Sequence, residues 1–288
     1  MINLVKQILV LFKLRIGVAM MVTTGMGVAA TPGVAPSFGQ MILLLVAVLL
    51  AAGAAGGLNH YYDADIDAKM KRTKNRPFVT GALTRSPRWL LLFAALLIIP
   101  VISVGYYINH LAALFVFLGA FFYGVVYTVW LKRRTWMNIV IGGLAGSFAV
   151  LAGTAAVNPE LNPLALSLAF IMFLWTPPHF WSLAIAIKDD YLAAGVPMLP
   201  VVAGRAKAAQ AVLANTVLLV MASIVPAFFG LGWVYLIGAM AGGAFFLYRS
   251  LKLVLNPVPE IAMGSFRASL VQLGMLLVAA SVDGIFFA

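Results

Sequence analysis

Residues 41–67 read MILLLVAVLLAAGAAGGLNHYYDADID. From Met41 to Leu58 the run carries no charged side chain, and its last nine residues hold one asparagine, one histidine, two tyrosines and three aspartates. An uncharged run of about 20 residues is what a helix needs to cross the hydrocarbon core of a bilayer. Carboxylates at the end of such a helix are costly and face a cavity or a partner. Asn59, Asp63 and Asp67 are four residues apart, and each such step turns a helix by only about 40°, so the three share one stripe. Asp65 points elsewhere. Two carboxylates and an amide on one stripe suit Mg²⁺, which takes oxygen ligands and completes its shell with water and substrate phosphates. The competing reading is that these acids only pair with the basic loop that follows, and for Asp65 that reading stands.

The rest of the chain fits a membrane setting. Its 288 residues include 19 Lys plus Arg and 8 Asp plus Glu, a net charge of +11, yet only 9% are charged and 64% are hydrophobic. Mean hydropathy is +1.05. Soluble domains run about 25% charged, and a nucleic-acid binder needs its basic residues on a watery surface. Nucleic acid is therefore excluded as a partner. High apolar content excludes disorder, and the absence of Cys excludes a disulfide scaffold and thiol chemistry. The first apolar stretch shows no cleavable signal pattern.

Nine apolar runs are long enough to span: 12–30, 41–60, 88–107, 110–131, 137–156, 164–186, 208–229, 232–248 and 266–286. Turn residues separate them, among them Thr31-Pro32-Gly33, Asn158-Pro159 and Asn256-Pro257. The expected fold is all-α, a polytopic bundle of nine transmembrane helices, with residues 1–288 as one transmembrane domain. Every Lys and Arg falls before or within the first run, in the connections after the second, fourth, sixth and eighth, or, as Arg88 and Arg267, in the opening turn of the run that follows such a connection. The positive-inside rule then puts the N-terminus and those connections in the cytoplasm.

The cytoplasmic connections carry the chemistry. After Asp67 comes Lys69-Met70-Lys71-Arg72-Thr73-Lys74-Asn75-Arg76-Pro77. Arginine grips phosphate in a bidentate manner and lysine neutralises it as a point charge. Lys69, Lys71 and Lys74 read as ordinary loop charge. One further helical turn would align Arg72 and Arg76 with the carboxylate stripe. The sixth run ends in Trp175-Thr176-Pro177-Pro178-His179-Phe180-Trp181, followed by Lys188-Asp189-Asp190-Tyr191. The two prolines are expected to disrupt that helix and free backbone carbonyls. Asp189 and Asp190 form a second acidic site on the face that holds Asp63 and Asp67, with Lys188 beside them. His179 is either a satisfied packing residue or a ligand among aromatic side chains. Lys132 or Arg133, after Tyr127-Thr128, reads as a diphosphate grip or as a topology anchor, and Lys13 and Arg15 near the N-terminus invite the same two readings, with the anchor favoured there. Asp283 and Glu160 fall on the opposite side and are expected to be solvated. Acidic clusters and cations converging above an apolar bundle point to a Mg²⁺–diphosphate site, with the bundle receiving an isoprenoid tail and aromatic faces steadying an allylic cation.

At these residues the chain resembles the UbiA superfamily of intramembrane prenyltransferases, whose Asn-x-x-x-Asp-x-x-x-Asp signature is matched by Asn59, Asp63 and Asp67. Within it the resemblance is to the haem-farnesylating branch. The matches are Met70, Arg72-Thr73, Arg76-Pro77, the stretch Tyr127 to Arg133, Trp175 to Trp181, Lys188 to Tyr191 and Ala194 to Pro200. The resemblance implies Mg²⁺ as cofactor and farnesyl diphosphate and haem B as substrates, with haem O as product. It implies Asp63, Asp67, Asp189 and Asp190 as catalytic, with Asn59 joining them on the metal. Asn59, Arg72, Arg76, Lys132 and Lys188 would meet the diphosphate, and His179 the haem. A bacterial inner membrane follows, with haem A synthase or terminal-oxidase assembly proteins as partners. Two departures touch the acceptor side. Lys13-Leu14-Arg15 stands where the family has Lys-Pro-Arg, and Gly146 to Gly153 lacks a Pro-Pro pair, which predicts a straighter fifth helix. The alternatives are transfer to another acceptor, such as a quinone precursor, or a catalytically silent haem carrier or oxidase assembly factor.

Nine spans put the two ends of the chain on opposite sides of the membrane. Reporter fusions to the N- and C-termini are therefore expected to show opposite accessibility; the same accessibility at both would overturn the odd number of crossings.

Overall fold

The computed structural model describes residues 2–286. In chain order its helices are α1 Ile2–Leu11, α2 Leu14–Ala30, α3 Phe38–Tyr62, α4 Ala64–Asp67, α5 Pro77–Thr80, α6 Arg88–Tyr107 and α7 His110–Phe121. A π-helical segment, Phe122–Leu131, continues α7. Then come α8 Asn138–Gly142, α9 Leu144–Val157, α10 Pro163–Ala186, α11 Lys188–Ala193, α12 Leu199–Ala222, the 3₁₀ turn Val225–Phe229, α13 Trp233–Leu255 and α14 Pro259–Phe286. Among the described residues there is no strand. Eight helical stretches are long and apolar enough to cross a membrane, and the bent pair of α1 and α2 makes a ninth.

The helices form a closed bundle. α2 packs on α3, α9 and α14, and α10 packs on α9, α12 and α14. α10 is the innermost, with 67% of its apolar window buried against at most 56% for any other span. Two cores result: one among α2, α10, α12, α13 and α14 around Tyr235, Phe246 and Leu168, the other among α2, α3, α6, α7 and α9 around Leu44, Val104 and Phe115.

In lipid, helices gain little from hiding apolar surface, so close approach of small residues carries much of the association. α2 and α9 show this. A Cβ on Gly27 would lie 2.6 Å from the Val150 carbonyl oxygen, and one on Gly153 would run into the Thr24 carbonyl. Thr24 Oγ1 also donates to the Ala149 carbonyl at 2.9 Å, which pins the register.

Several boundaries differ from the sequence reading. The first span does not begin at residue 12. A helix already runs from Ile2, and the chain bends by 53° before Leu14, where Lys13 adopts a left-handed conformation at φ 47°. The eighth and ninth spans extend further at the end that carries the acidic motifs, to Leu255 and Pro259, because turns there pack on protein, and ahead of the seventh a helical stretch begins at Leu199 and bends at Gly204, φ 83°. Pro177 and Pro178 do not break α10. The helix continues, and Asn215 Nδ2 of α12 donates at 2.9 Å to the Leu174 carbonyl that Pro178 leaves without its helical donor. Nor is Asp283 solvated: it is 1% exposed and accepts from the backbone N–H groups of Gly232 and, at 3.3 Å, Tyr235. A carboxylate there satisfies the orphan donors at the start of α13 and complements its dipole. The fifth span runs as α8 and α9 through Gly143, whose backbone stays helical.

Gly153→Leu is expected to push α2 off α9, at a cost of about 1–3 kcal/mol for an overpacked contact. A lower melting temperature in detergent checks this, and an unchanged one would show that the glycine contact is dispensable.

Candidate active site

The four-residue stripe survives the end of α3. Asp63 caps the helix, and the bonds Asp63 N to Asn59 O (3.0 Å) and Asp67 N to Asp63 O (2.8 Å) carry the helical repeat through into α4. Asn59, Asp63 and Asp67 are all buried, at 2%, 0% and 1% exposure. Each meets a cation or a donor from another element. Asn59 Nδ2 donates to Asp63 Oδ2 at 2.7 Å and to Thr128 Oγ1 at 3.1 Å. Lys132 Nζ donates to Asp63 Oδ2, and Arg76 Nη1 donates to Asp67 Oδ2 at 2.5 Å. Asp65 sits on the other face, 58% exposed, and takes both guanidinium arms of Arg133 at 2.7 and 2.8 Å. Those bonds, Arg133 foremost, hold its carboxyl below the usual range.

The π-helical segment supplies the opposite wall. Lys132 N bonds to Tyr127 O at 2.8 Å, an i to i−5 contact. The wider turn brings Tyr123, Tyr127, Thr128 and Lys132 to the stripe together. Such bulges concentrate at functional sites. The rings of Tyr123 and Tyr127 stack at 5.6 Å. Lys13, at the bend between α1 and α2, donates to Asn59 Oδ1 at 2.5 Å and to the Tyr123 hydroxyl at 2.7 Å.

The helix stops at Asp67, so Arg72 and Arg76 do not extend the stripe along a helical turn. The chain turns back instead. Thr73 Oγ1 bonds the Asp67 carbonyl at 3.0 Å, and that turn, not a helical face, returns Arg76 to Asp67. Arg72 meets the second acidic motif through its backbone: its N–H donates to Asp190 Oδ2 at 3.1 Å. A small apolar core beneath the two loops holds them together, with Met70, Tyr191, Val196 and Met198 each at 2% exposure or less. Burying one such side chain from water contributes about 1.5–3 kcal/mol. Asp189 lies outside this junction, 87% exposed and 3.6 Å from Arg205. Lys188 opens α11, half-buried. His179 is on α10, about two turns below its end, between Trp175 and Phe266.

Two buried polar atoms here have no hydrogen bond, Asp63 Oδ1 and His60 Nδ1. Asp63 Oδ1 has Arg133 Nη2 at 3.6 Å but no hydrogen bond, and such a carboxylate oxygen can still turn to a hard cation. Among the described residues no three acidic or histidine side chains cluster closely enough to hold a metal alone. The donor set therefore fits an ion that draws its remaining ligands from substrate phosphates and water, as Mg²⁺ does. Sequence reasoning favoured a topology anchor for Lys13, named Thr128 without a role, and passed over Tyr123 and Asn215. Only Thr128, inside the Tyr-Thr motif, carried a signal.

The chain matches the UbiA prenyltransferase family over residues 20–280. It belongs to that family. It is 56% identical over 272 residues, 94% of each chain, to protoheme IX farnesyltransferase 2 of Paramagnetospirillum magneticum, and 45% identical to protoheme IX farnesyltransferase 1 of the same organism over 96% of this chain and 98% of that one. Among solved structures, digeranylgeranylglyceryl phosphate synthase superposes with a TM-score of 0.80 at 20% identity, covering 98% of each chain. A UbiA homologue from Archaeoglobus fulgidus, bound to DMAPP and Mg²⁺, gives 0.68 at 17% identity over 96% of this chain and 99% of that one. This prenyltransferase is thus an integral membrane protein with the UbiA fold.

Removing one member of a buried ion pair leaves the other charge uncompensated, at a cost of about 3–5 kcal/mol. Lys132→Met is therefore expected to lower both thermal stability and prenyl-diphosphate affinity. Asp65→Asn breaks an exposed pair worth about 0–1 kcal/mol and is expected to leave both near wild type. Calorimetry and a diphosphate-release assay separate the two, and equal effects would overturn the distinction.

Proposed function

We propose that the chain transfers the farnesyl group of farnesyl diphosphate to a vinyl group of haem B, giving haem O, at the cytoplasmic face of a bacterial inner membrane. The observation that carries this reading is the pair of acidic motifs joined through Arg72 and Asp190, in a chain more than half identical to a protein named for this reaction. The placement in the membrane rests on all 19 basic residues falling on one side.

Asp63 and Asp67, with Asn59 beside them, would hold Mg²⁺ at the first motif, and Asp190 at the second, while Asp189, turned out to Arg205, is not placed to join them. When bound, Mg²⁺ would supply charge neutralisation for the departing diphosphate. Asp63 Oδ1, which accepts no hydrogen bond and has only Arg133 at 3.6 Å, would be its ligand atom. Arg76, Lys132, Lys188 and Arg72 would grip the diphosphate oxygens, and Lys13 stands close enough to join them. Arg76 and Lys132 are preorganised by the carboxylates they neutralise, so for them little reorganisation is needed as charge develops on the leaving group. The C1–O bond breaks and its electron pair leaves with the diphosphate. Lys13 Nζ covers the Tyr123 ring at 5.2 Å, and Tyr127, stacked on Tyr123, would be the π face left to steady positive charge on the allylic carbons. The vinyl π pair then forms the new C–C bond. A water oxygen closes the internal carbon with loss of one proton, leaving a hydroxyethyl link.

Purified protein incubated with haem B, farnesyl diphosphate and Mg²⁺ is expected to yield haem O, and the Asp63→Ala, Asp67→Ala double variant to lose turnover by at least two orders of magnitude. No haem O from folded wild-type protein would sink the acceptor assignment, and a parallel run with aromatic quinone precursors would show whether another acceptor takes its place. Haem binding without turnover in both proteins would leave a silent carrier.

A further inference from the structure

Between α10 and α14 the otherwise apolar bundle contains a polar seam. Ser182 Oγ donates to the Pro178 carbonyl at 2.7 Å and lies 3.1 Å from Ser265 Oγ. Trp175 Nε1 donates to the Ser269 carbonyl at 3.0 Å. His179 Nδ1 is 2.6 Å from Ser269 Oγ, which is itself 2.6 Å from the Phe266 carbonyl oxygen. Both faces of the imidazole are covered: Trp175 stacks on one at 4.2 Å and 19°, Phe266 on the other at 4.6 Å and 30°. Only the ring edge remains open.

The proton count decides which nitrogen is free. Neutral imidazole has one N–H and serine one O–H. If His179 carries its proton on Nδ1, that proton goes to Ser269 Oγ and the serine proton goes to Phe266 O, so two hydrogen bonds form and no donor is left over. If the proton sits on Nε2, the serine hydroxyl must turn to Nδ1, only one bond forms, and an N–H is stranded in an apolar setting. The first arrangement wins. It leaves Nε2 with an unshared lone pair, and no hydrogen bond reaches that nitrogen from any described residue.

We propose that Ser269 is a positioning residue: it fixes the Nδ1–H tautomer of His179 and so presents unprotonated Nε2, at the open edge of the Trp175–Phe266 sandwich, as the nitrogen that ligates the iron of the tetrapyrrole acceptor. A histidine that donates through one nitrogen to a fixed acceptor and ligates through the other has its tautomer and ring orientation set by that partner. The inference rests on the haem acceptor proposed above and goes beyond it, since farnesylation of a vinyl group does not by itself require an iron–protein bond. The helix carrying His179 is braced at the same level, because Asn215 restrains the Leu174 carbonyl one turn away.

The test uses full-length protein in detergent, titrated with haem B alone and followed by Soret absorption and, in the ferrous form, by the iron–histidine stretch in resonance Raman spectra. Wild type is expected to show that stretch, and His179→Gly to lose it and regain it on adding imidazole. Ser269→Ala is expected to shift it and to weaken haem binding roughly 10–100-fold, the usual cost of removing a hydrogen-bonding partner of a metal ligand. Ser269→Thr, which keeps the hydroxyl, is expected to restore the wild-type band. The same frequency and affinity in wild type and Ser269→Ala, a shift in Ser269→Ala that threonine does not restore, or no histidine band in wild type would overturn the proposal. Haem O formation is measured in parallel. Product without a histidine band would overturn the iron ligation and the role of Ser269 while leaving the acceptor reading in place, whereas absence of product would count against the acceptor reading.

Discussion

A carboxylate at the end of a membrane helix must be neutralised, and the burial of Asp63 organises the end of the bundle that carries the acidic motifs. Asp63 is completely hidden, and its partners come from different parts of the chain: Asn59 from its own helix and Lys132 from the end of the π-helical segment. Asn59 is in turn tied to Lys13 at the bend in the first span and to Thr128. Three spans thus meet at one charge. Such a cluster is a poor device for stability alone, since well-packed apolar residues would do as well or better. It is a good device for holding cations where an anionic substrate can use them.

The cost of this arrangement appears in the backbone. Lys13 takes a left-handed conformation, unusual for a residue with a Cβ, and the fourth span widens into a π-helix over its last ten residues. Both irregularities face the carboxylate stripe, and both make room for side chains that a regular helix would aim elsewhere. The same logic holds at Pro177 and Pro178, where α12 contributes Asn215 to the carbonyl left free. In hydrocarbon an unsatisfied carbonyl costs several kcal/mol, so the irregular positions are those where a neighbouring helix offers a donor.

The two acidic loops are joined differently from the helices beneath them. They lie at the water-facing end, where burial of Met70, Tyr191, Val196 and Met198 gives an ordinary hydrophobic contribution. The link from Arg72 N to Asp190 then sets their spacing. This makes the mouth of the site a small soluble-like core resting on a membrane bundle.

Much of this was legible in the sequence. Length and apolar content dictated the spans, because the bilayer fixes how many uncharged residues a crossing needs. The spacing of Asn59, Asp63 and Asp67 dictated a common stripe, because the helical repeat is fixed by backbone geometry. What pattern could not decide was which partners meet. Lys13 read rather as a topology anchor and Lys132 as a diphosphate contact, although a charge near a helix end has the same signature whether it faces lipid headgroups or a buried carboxylate. Arg76 reaches Asp67 by a turn that periodicity does not predict, Asp189 turns away to Arg205, and Asp283 is buried as a helix cap where solvent was expected. Those outcomes depend on which elements the bundle brings side by side, a long-range packing property that no local spacing encodes.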